Sequence, residues 1–148
     1  MKSDFTSTLL THSAPQEAFA AINNVHGWWT ENIEGRTNKL HDIFTVRFGT
    51  TWKTFKIVEV VPGEKVVWVI TDCYLPWNGD KTEWTGTKIS FEISKKGEQT
   101  QVRFSHLGLV PELECFKSCS NAWTGYIQNS LQRLINTGKG KPTAKEGS

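Results

Sequence analysis

The stretch TGTKISFEISKKGEQTQVRFSHLGL, residues 85–109, decides the fold. Its first half places Thr87, Ile89, Phe91 and Ile93 on one side and Lys88, Ser90 and Glu92 on the other. Side chains alternate across a strand, so this period of two predicts a strand with one dry face and one wet face. Turn-forming residues in KKGEQ, 95–99, interrupt the alternation. The second half returns with Val102, Phe104 and His106 in phase. Together they predict an antiparallel pair whose apolar side faces a core.

Upstream, from about Leu40, the chain reads as further strands. IFTVRF, 43–48, aligns Phe44, Val46 and Phe48 opposite Thr45 and Arg47, and Gly49 marks a turn. WKTFKIVEVV, 52–61, ends at Pro62-Gly63, and EKVVWVI, 64–70, resumes. That strand is apolar on both faces, so phase between Trp52 and Ile70 is open. DCYLPWNGDKTEW, 72–84, is a longer loop carrying Tyr74, Trp77 and Trp84.

FTSTLLTH, 5–12, suits a first strand, and SAPQEAFAAI, 13–22, a short helix capped by Ser13 or Ala14 with Pro15 in its first turn. Asn23, Asn24 and Gly27 follow, which places Trp28 and Trp29 on a second short helix or turn leading into a loop at 31–38.

Downstream the period changes. Between Pro111 and Gly138, residues Phe116, Cys119, Trp123, Ile127, Ser130 or Leu131, and Leu134 recur at three- and four-residue steps, predicting one long amphipathic helix. Gly138 stops it, with Pro142 beyond. The order is strand, two short helices, about six strands, long helix. That is an α+β pattern with helices segregated to one face of an antiparallel sheet.

With 148 residues the chain fits one domain, which we place at 1–138, with 139–148 (Lys139, Lys141 and Lys145 among Gly and polar residues) as a flexible basic tail. A net charge of +2 gives no clustered basic face, so nucleic acid is excluded as a partner. No apolar run reaches the length of a membrane span, and MKSDFTSTLL lacks the pattern of an export signal. A cytoplasmic protein without membrane contact is expected. The odd count of three cysteines, Cys73, Cys115 and Cys119, argues for reduced thiols. Cys115 and Cys119 share a helix face, but no fourth ligand is evident beside them and His106, so neither a metal nor another cofactor is expected. Seven tryptophans suggest a large aromatic interior or a binding surface.

Three stretches carry a resemblance: PQEAFAAINNVHGWW (15–29), WTGTKISFEI (84–93) and AWTGYIQNSLQRLINTGKGKP (122–142). In these, and in element order over nearly the whole chain, the sequence resembles the START-like (SRPBCC) helix-grip superfamily, and within it the family related to the activator of the heat-shock-protein ATPase. The resemblance implies a curved antiparallel sheet of six to seven strands wrapped around the C-terminal helix, enclosing a deep, largely apolar cavity. It carries over no catalytic residue.

Combining strand phase with the implied fold gives a ligand-binding set. The helix supplies Cys119, Trp123 and Ile127, and the sheet Phe44, Phe48, Trp68, Phe91, Phe104 and His106. Trp28 and Trp29 form a wall or lid, one packed inward and one at the rim. His106, with Glu59 if Phe55 and Ile57 face inward, is the candidate acid or base for a cyclase- or hydrolase-like alternative. The leading expectation is an apolar small molecule or lipid bound by a monomer or weak dimer. A chaperone contact is a third reading, implied by the family name alone.

Overall fold

The alternation in residues 85–109 becomes β6 (Lys88–Lys96) and β7 (Gln99–Leu107), paired with Ile89 opposite His106 and Phe91 opposite Phe104. Around them, β1 (Phe5–Thr11), β2 (Ile33–Gly35), β3 (Ile43–Phe48), β4 (Thr51–Val61) and β5 (Lys65–Tyr74) complete one sheet. Its order is β1-β7-β6-β5-β4-β3-β2, antiparallel throughout. The computed structural model describes residues 4–144. The α+β architecture, with one long C-terminal helix and short helices after the first strand, is the one expected.

The dry face of the sheet is aromatic. Phe44 lies opposite Phe55, Val66 opposite Phe91 and Trp68 opposite Ile89, and all six are buried. Cross-strand aromatic and β-branched pairs of this kind contribute roughly 0.2–1 kcal/mol each beyond Ala pairs. The open phase of β4 resolves with Thr51, Lys53, Phe55 and Ile57 inward. It does not continue to Glu59. A bulge at Val58 lets Ile57 face Trp68 while Glu59 faces Val67, which reverses the strand's phase. Glu59 therefore points to water, its side chain 48% exposed, 3.6 Å from Lys65, and the idea of an inward carboxylate is corrected.

Helices α1 (Pro15–Asn23) and α2 (Val25–Trp28) cross the open face. Ala14 is the residue before α1, and its N–H donates to Glu17 Oε1 at 3.0 Å. The loop read at 31–38 contains β2, three residues long, which pairs with β3.

The C-terminal helix is continuous from Phe116 to Thr137 but not uniform. It runs as α3 (Phe116–Gly125), a π-helical segment (Tyr126–Leu131) and α4 (Gln132–Thr137). Residues 111–115 form the turn that leads into it, and the helix begins at Phe116, the first residue of the recurrence. The π segment takes up one extra residue, and one residue corresponds to about 100° on a helix. Ile135 is accordingly the buried residue of the last turn, while Leu134 is only half-buried. Gly138, with φ 82°, closes the helix and its N–H reaches Leu134 O. Gln128 and Gln132 donate to Thr8 O and Leu10 O, so the helix covers the β1 edge. Among the described residues no helix is long and apolar enough to cross a membrane.

The segment read as a frayed tail is tied down over much of its length. Lys141 N–H donates to Ser130 Oγ, which itself donates to Trp28 O. Thr143 bridges Thr30, accepts from Glu31 N–H, donates its own N–H to Trp29 O, and lies 2.6 Å from Tyr126 Oη. A Cβ on Gly140 would sit 2.4 Å from Gly27 O, so only glycine lets the chain pass so close. Lys145 and the residues after it lie outside the described residues.

Candidate functional site

A cavity of about 270 Å³ opens between the β3–β4 end of the sheet and the first turns of the terminal helix. Helical spacing brings Cys119, Trp123 and Tyr126, with Ser118 and Ala122 beside them, to its helix side. Phe48, Thr51 and Lys53 form the sheet side, Trp29 closes the inner end, and Trp77 and Trp84 come from the loop 75–87. Trp77, 54% exposed, stands at the rim, with its Nε1–H donated to Thr51 Oγ1.

That loop is locked to the start of α3. Glu83 accepts the N–H groups of Glu114 and Cys115, and Gly79 N–H donates to Glu114 Oε2. A carboxylate on the turn that leads into α3 also lies near the positive end of the helix dipole. The wall carrying Trp84 is thereby fixed against the helix, and Trp84 stacks on Trp123 at 5.8 Å.

The Trp pair enters the interior twice. Both indoles are buried, their rings stacked at 6.0 Å and 12°. α2 ends at Trp28, and neighbouring helical residues diverge by about 100°, which still leaves both between sheet and terminal helix. Trp28 donates to Ile22 O and packs edge-on against Phe91, away from the cavity. Trp29 lies against Trp123 at 4.8 Å, Phe55 at 5.5 Å and Phe48 at 5.9 Å. The expected division into an inward indole and a rim indole is replaced by a core indole and a cavity-wall indole.

Of the sequence-derived set, Trp29, Phe48, Cys119 and Trp123 line the cavity. Trp28, Phe44, Trp68, Phe91, Phe104, His106 and Ile127 do not. They belong to the packed interior, with Phe91 and Phe104 at 5.3 Å and Phe104 and Trp123 at 4.6 Å. Strand phase identifies which residues face inward, but not whether a void or another side chain meets them. The Trp68 N–H is buried without an acceptor among the described residues.

His106 is fully committed. Its Nδ1 accepts the Trp123 indole N–H at 3.1 Å, which leaves Nε2 as the protonated nitrogen, 2.8 Å from Thr87 Oγ1. Thr87 Oγ1 in turn donates to Trp84 O. Burial, and secondarily the Lys53 charge, push the imidazole down to about 3. A neutral ring with both nitrogens engaged is a core polar group, not a poised acid or base. Its proton NMR signals are expected to stay unchanged from about pH 8 to about pH 5, the range in which a free imidazole titrates. Titration near 6.5 would contradict this. Between pH 6.5 and 3 the unfolded chain takes up a proton that the folded chain does not, so this residue makes stability fall as pH falls through that window.

Lys53 was missed as a site residue. It is only 8% exposed, and its Nζ lies 4.1 Å from the Trp84 ring centroid, 5.1 Å from that of Phe48 and 5.8 Å from that of Trp29. Burial pushes its ammonium down to about 8, against a smaller opposing effect from Cys119, Cys115 and Cys73. Cys115 accepts the Trp84 indole N–H at 3.3 Å. A hydrogen bond from Cys115, aided by Lys53, draws the Cys119 thiol below its ordinary value, while the same hydrogen bond and burial push Cys115 up. The signal for Lys53 was present in WKTFKIV, where it shares the phase of Phe55 and Ile57.

No family model and no curated protein matches the chain. Solved structures do. The Aha1 dimer from Colwellia psychrerythraea is similar with a TM-score of 0.77 at 23% identity, covering 93% of this chain and 99% of that one. Mll3558 from Rhizobium loti is similar with a TM-score of 0.69 at 14% identity, covering 86% and 94%. SSP2350 from Staphylococcus saprophyticus is similar with a TM-score of 0.71 at 11% identity, covering 96% and 98%. The chain has a helix-grip fold. In this helix grip most of the space between sheet and helix is filled by Phe44, Phe91, Phe104 and Trp28, so the cavity is confined to one end.

Proposed function

We propose that the protein binds a flat, apolar small molecule in the cavity between the β3–β4 end of the sheet and the first turns of the terminal helix. The observation that carries this reading is the set of indole and phenyl walls, Trp29, Phe48, Trp84 and Trp123, around a space that no side chain fills. Ligand sites of this kind are concave and mostly apolar, with a few polar groups that orient the ligand. Aromatic walls favour a planar ligand, because offset or edge contacts with rings add about 0.5–1.5 kcal/mol beyond area burial. The helix-grip fold supports the reading at the level of architecture. A turnover reading is not adopted, because the nitrogens of His106 are spent within the core and Glu59 lies on the outer side.

Ala122 gives a clean test. It lines the cavity from an exposed position on the helix, so Ala122→Phe fills the space with little cost to the fold. Calorimetric titration with 2-naphthamide, a neutral planar probe, is expected to show binding to the wild type that weakens by about tenfold or more in the variant, a change of about 1.4 kcal/mol. Equal affinity for both chains would count against the cavity as the site.

A further inference from the structure

The polar groups around the cavity are nearly all spent. Thr51 Oγ1 accepts from Trp77, Ser118 Oγ donates to Cys115 O, and Glu83 is engaged by Asn78, Glu114 and Cys115. Lys53 is different. Its side chain is more than nine-tenths buried and faces the cavity, yet among the described residues its ammonium has no ion pair and no hydrogen-bond acceptor. Three ring faces surround it. Ring faces attract a cation without neutralising it. A buried charge without a counter-ion is unfavourable, and an anion entering the cavity would supply one.

Resting on the reading of this cavity as a ligand site, we propose that Lys53 anchors the anionic group of an apolar carboxylate, so that the natural ligand is an aromatic or similarly flat acid. A single ammonium among apolar walls, with the nearby backbone N–H groups of Glu114 and Cys115 already taken by Glu83, fits a monoanion better than a phosphate. The titratable groups facing Lys53 do not supply the missing anion as carboxylates. They are Cys73 on β5, Cys115 and Cys119 at the start of the terminal helix, and the neutral His106 on β7. The Cys119 thiol lines the same space, and a ligand carboxylate beside Nζ would take over the cation that draws its proton away.

Two isosteric probes separate charge from shape. Titration calorimetry at neutral pH with 2-naphthoate and 2-naphthamide, on the wild type and on Lys53→Met, reads both. The wild type is expected to bind 2-naphthoate about tenfold or more tightly than 2-naphthamide, and Lys53→Met to lose that preference, a ratio taken within each chain. Urea melts of both chains confirm that the variant is folded. If the wild type binds the amide as tightly as the acid, or if the preference survives in Lys53→Met, the anchor is overturned while the cavity reading stands. If neither probe binds the wild type, both fall.

Discussion

Trp29→Ala is expected to destabilise the protein by about 3–5 kcal/mol, the range for truncating a fully buried large aromatic. Trp29 stands where α2, the terminal helix and the sheet meet. It contacts Trp28 on α2, Trp123 and Tyr126 on the terminal helix, and Phe48, Phe55 and Trp68 from the sheet. Removing its indole joins a new void to the existing cavity and takes partners from all of these rings at once. Since domains of this kind are stable by about 5–15 kcal/mol, the loss is a large part of the total. Urea unfolding followed by circular dichroism measures it, and a loss below about 1 kcal/mol would show that Trp29 is not the keystone of the aromatic interior.

Lys53→Met should act in the opposite direction. Depression of the lysine from 10.5 to about 8 means that the folded state disfavours the proton, by roughly 3 kcal/mol at 1.36 kcal/mol per pH unit. Cation–π contact with Trp84, Phe48 and Trp29 offsets part of that, by about 0.5–2 kcal/mol. A methionine of similar length in the same place should leave the protein more stable at pH 7 by roughly 1–3 kcal/mol. Between pH 8 and 10.5 the unfolded chain holds a proton on Lys53 that the folded chain has released, so wild-type stability rises through this window relative to the variant. Cys119 is drawn down in part by Lys53, so the difference between the chains above pH 8 reports the lysine together with its effect on that thiol. A variant less stable than wild type at pH 7, with a difference that stays constant to pH 10.5, would contradict a desolvated ammonium.

These two residues mark how far the sequence could be read. Period-two runs such as KISFEI and QVRFSH state their own phase, and the three- and four-residue recurrence through Trp123 and Ile127 states a helix. From these the sheet, the terminal helix and their order follow. Non-local and one-residue events did not. The bulge at Val58 reverses the phase of β4 and takes Glu59 out of the interior, and no residue type signals it. The π segment slips the helix face from Leu134 to Ile135 in the same silent way. β2 is three residues long, too short for any periodicity. The Thr143 and Gly140 contacts depend on a return of the chain to α2 that composition disguises as a tail.

The site was legible in part for a related reason. Sequence phase could bring His106 inward, but its two partners, Trp123 and Thr87, arrive from other elements and convert a candidate base into a filled hydrogen-bond position. Lys53 shows the reverse. A charged residue in an inward phase is the least expected occupant of a core, and it marks the end of the sheet where the aromatic packing gives way to a cavity.

Indole N–H resonances of ¹⁵N-labelled protein, followed during titration with 2-naphthamide, test most directly whether this cavity takes a ligand. The prediction is saturable shifts largest at Trp29, Trp84 and Trp123, with Trp52 on the opposite face of β4 unmoved, and loss of those shifts in Ala122→Phe. Absence of saturable shifts in the wild type with both 2-naphthamide and 2-naphthoate, or shifts that persist unchanged in Ala122→Phe, would contradict a ligand site between the sheet and the terminal helix.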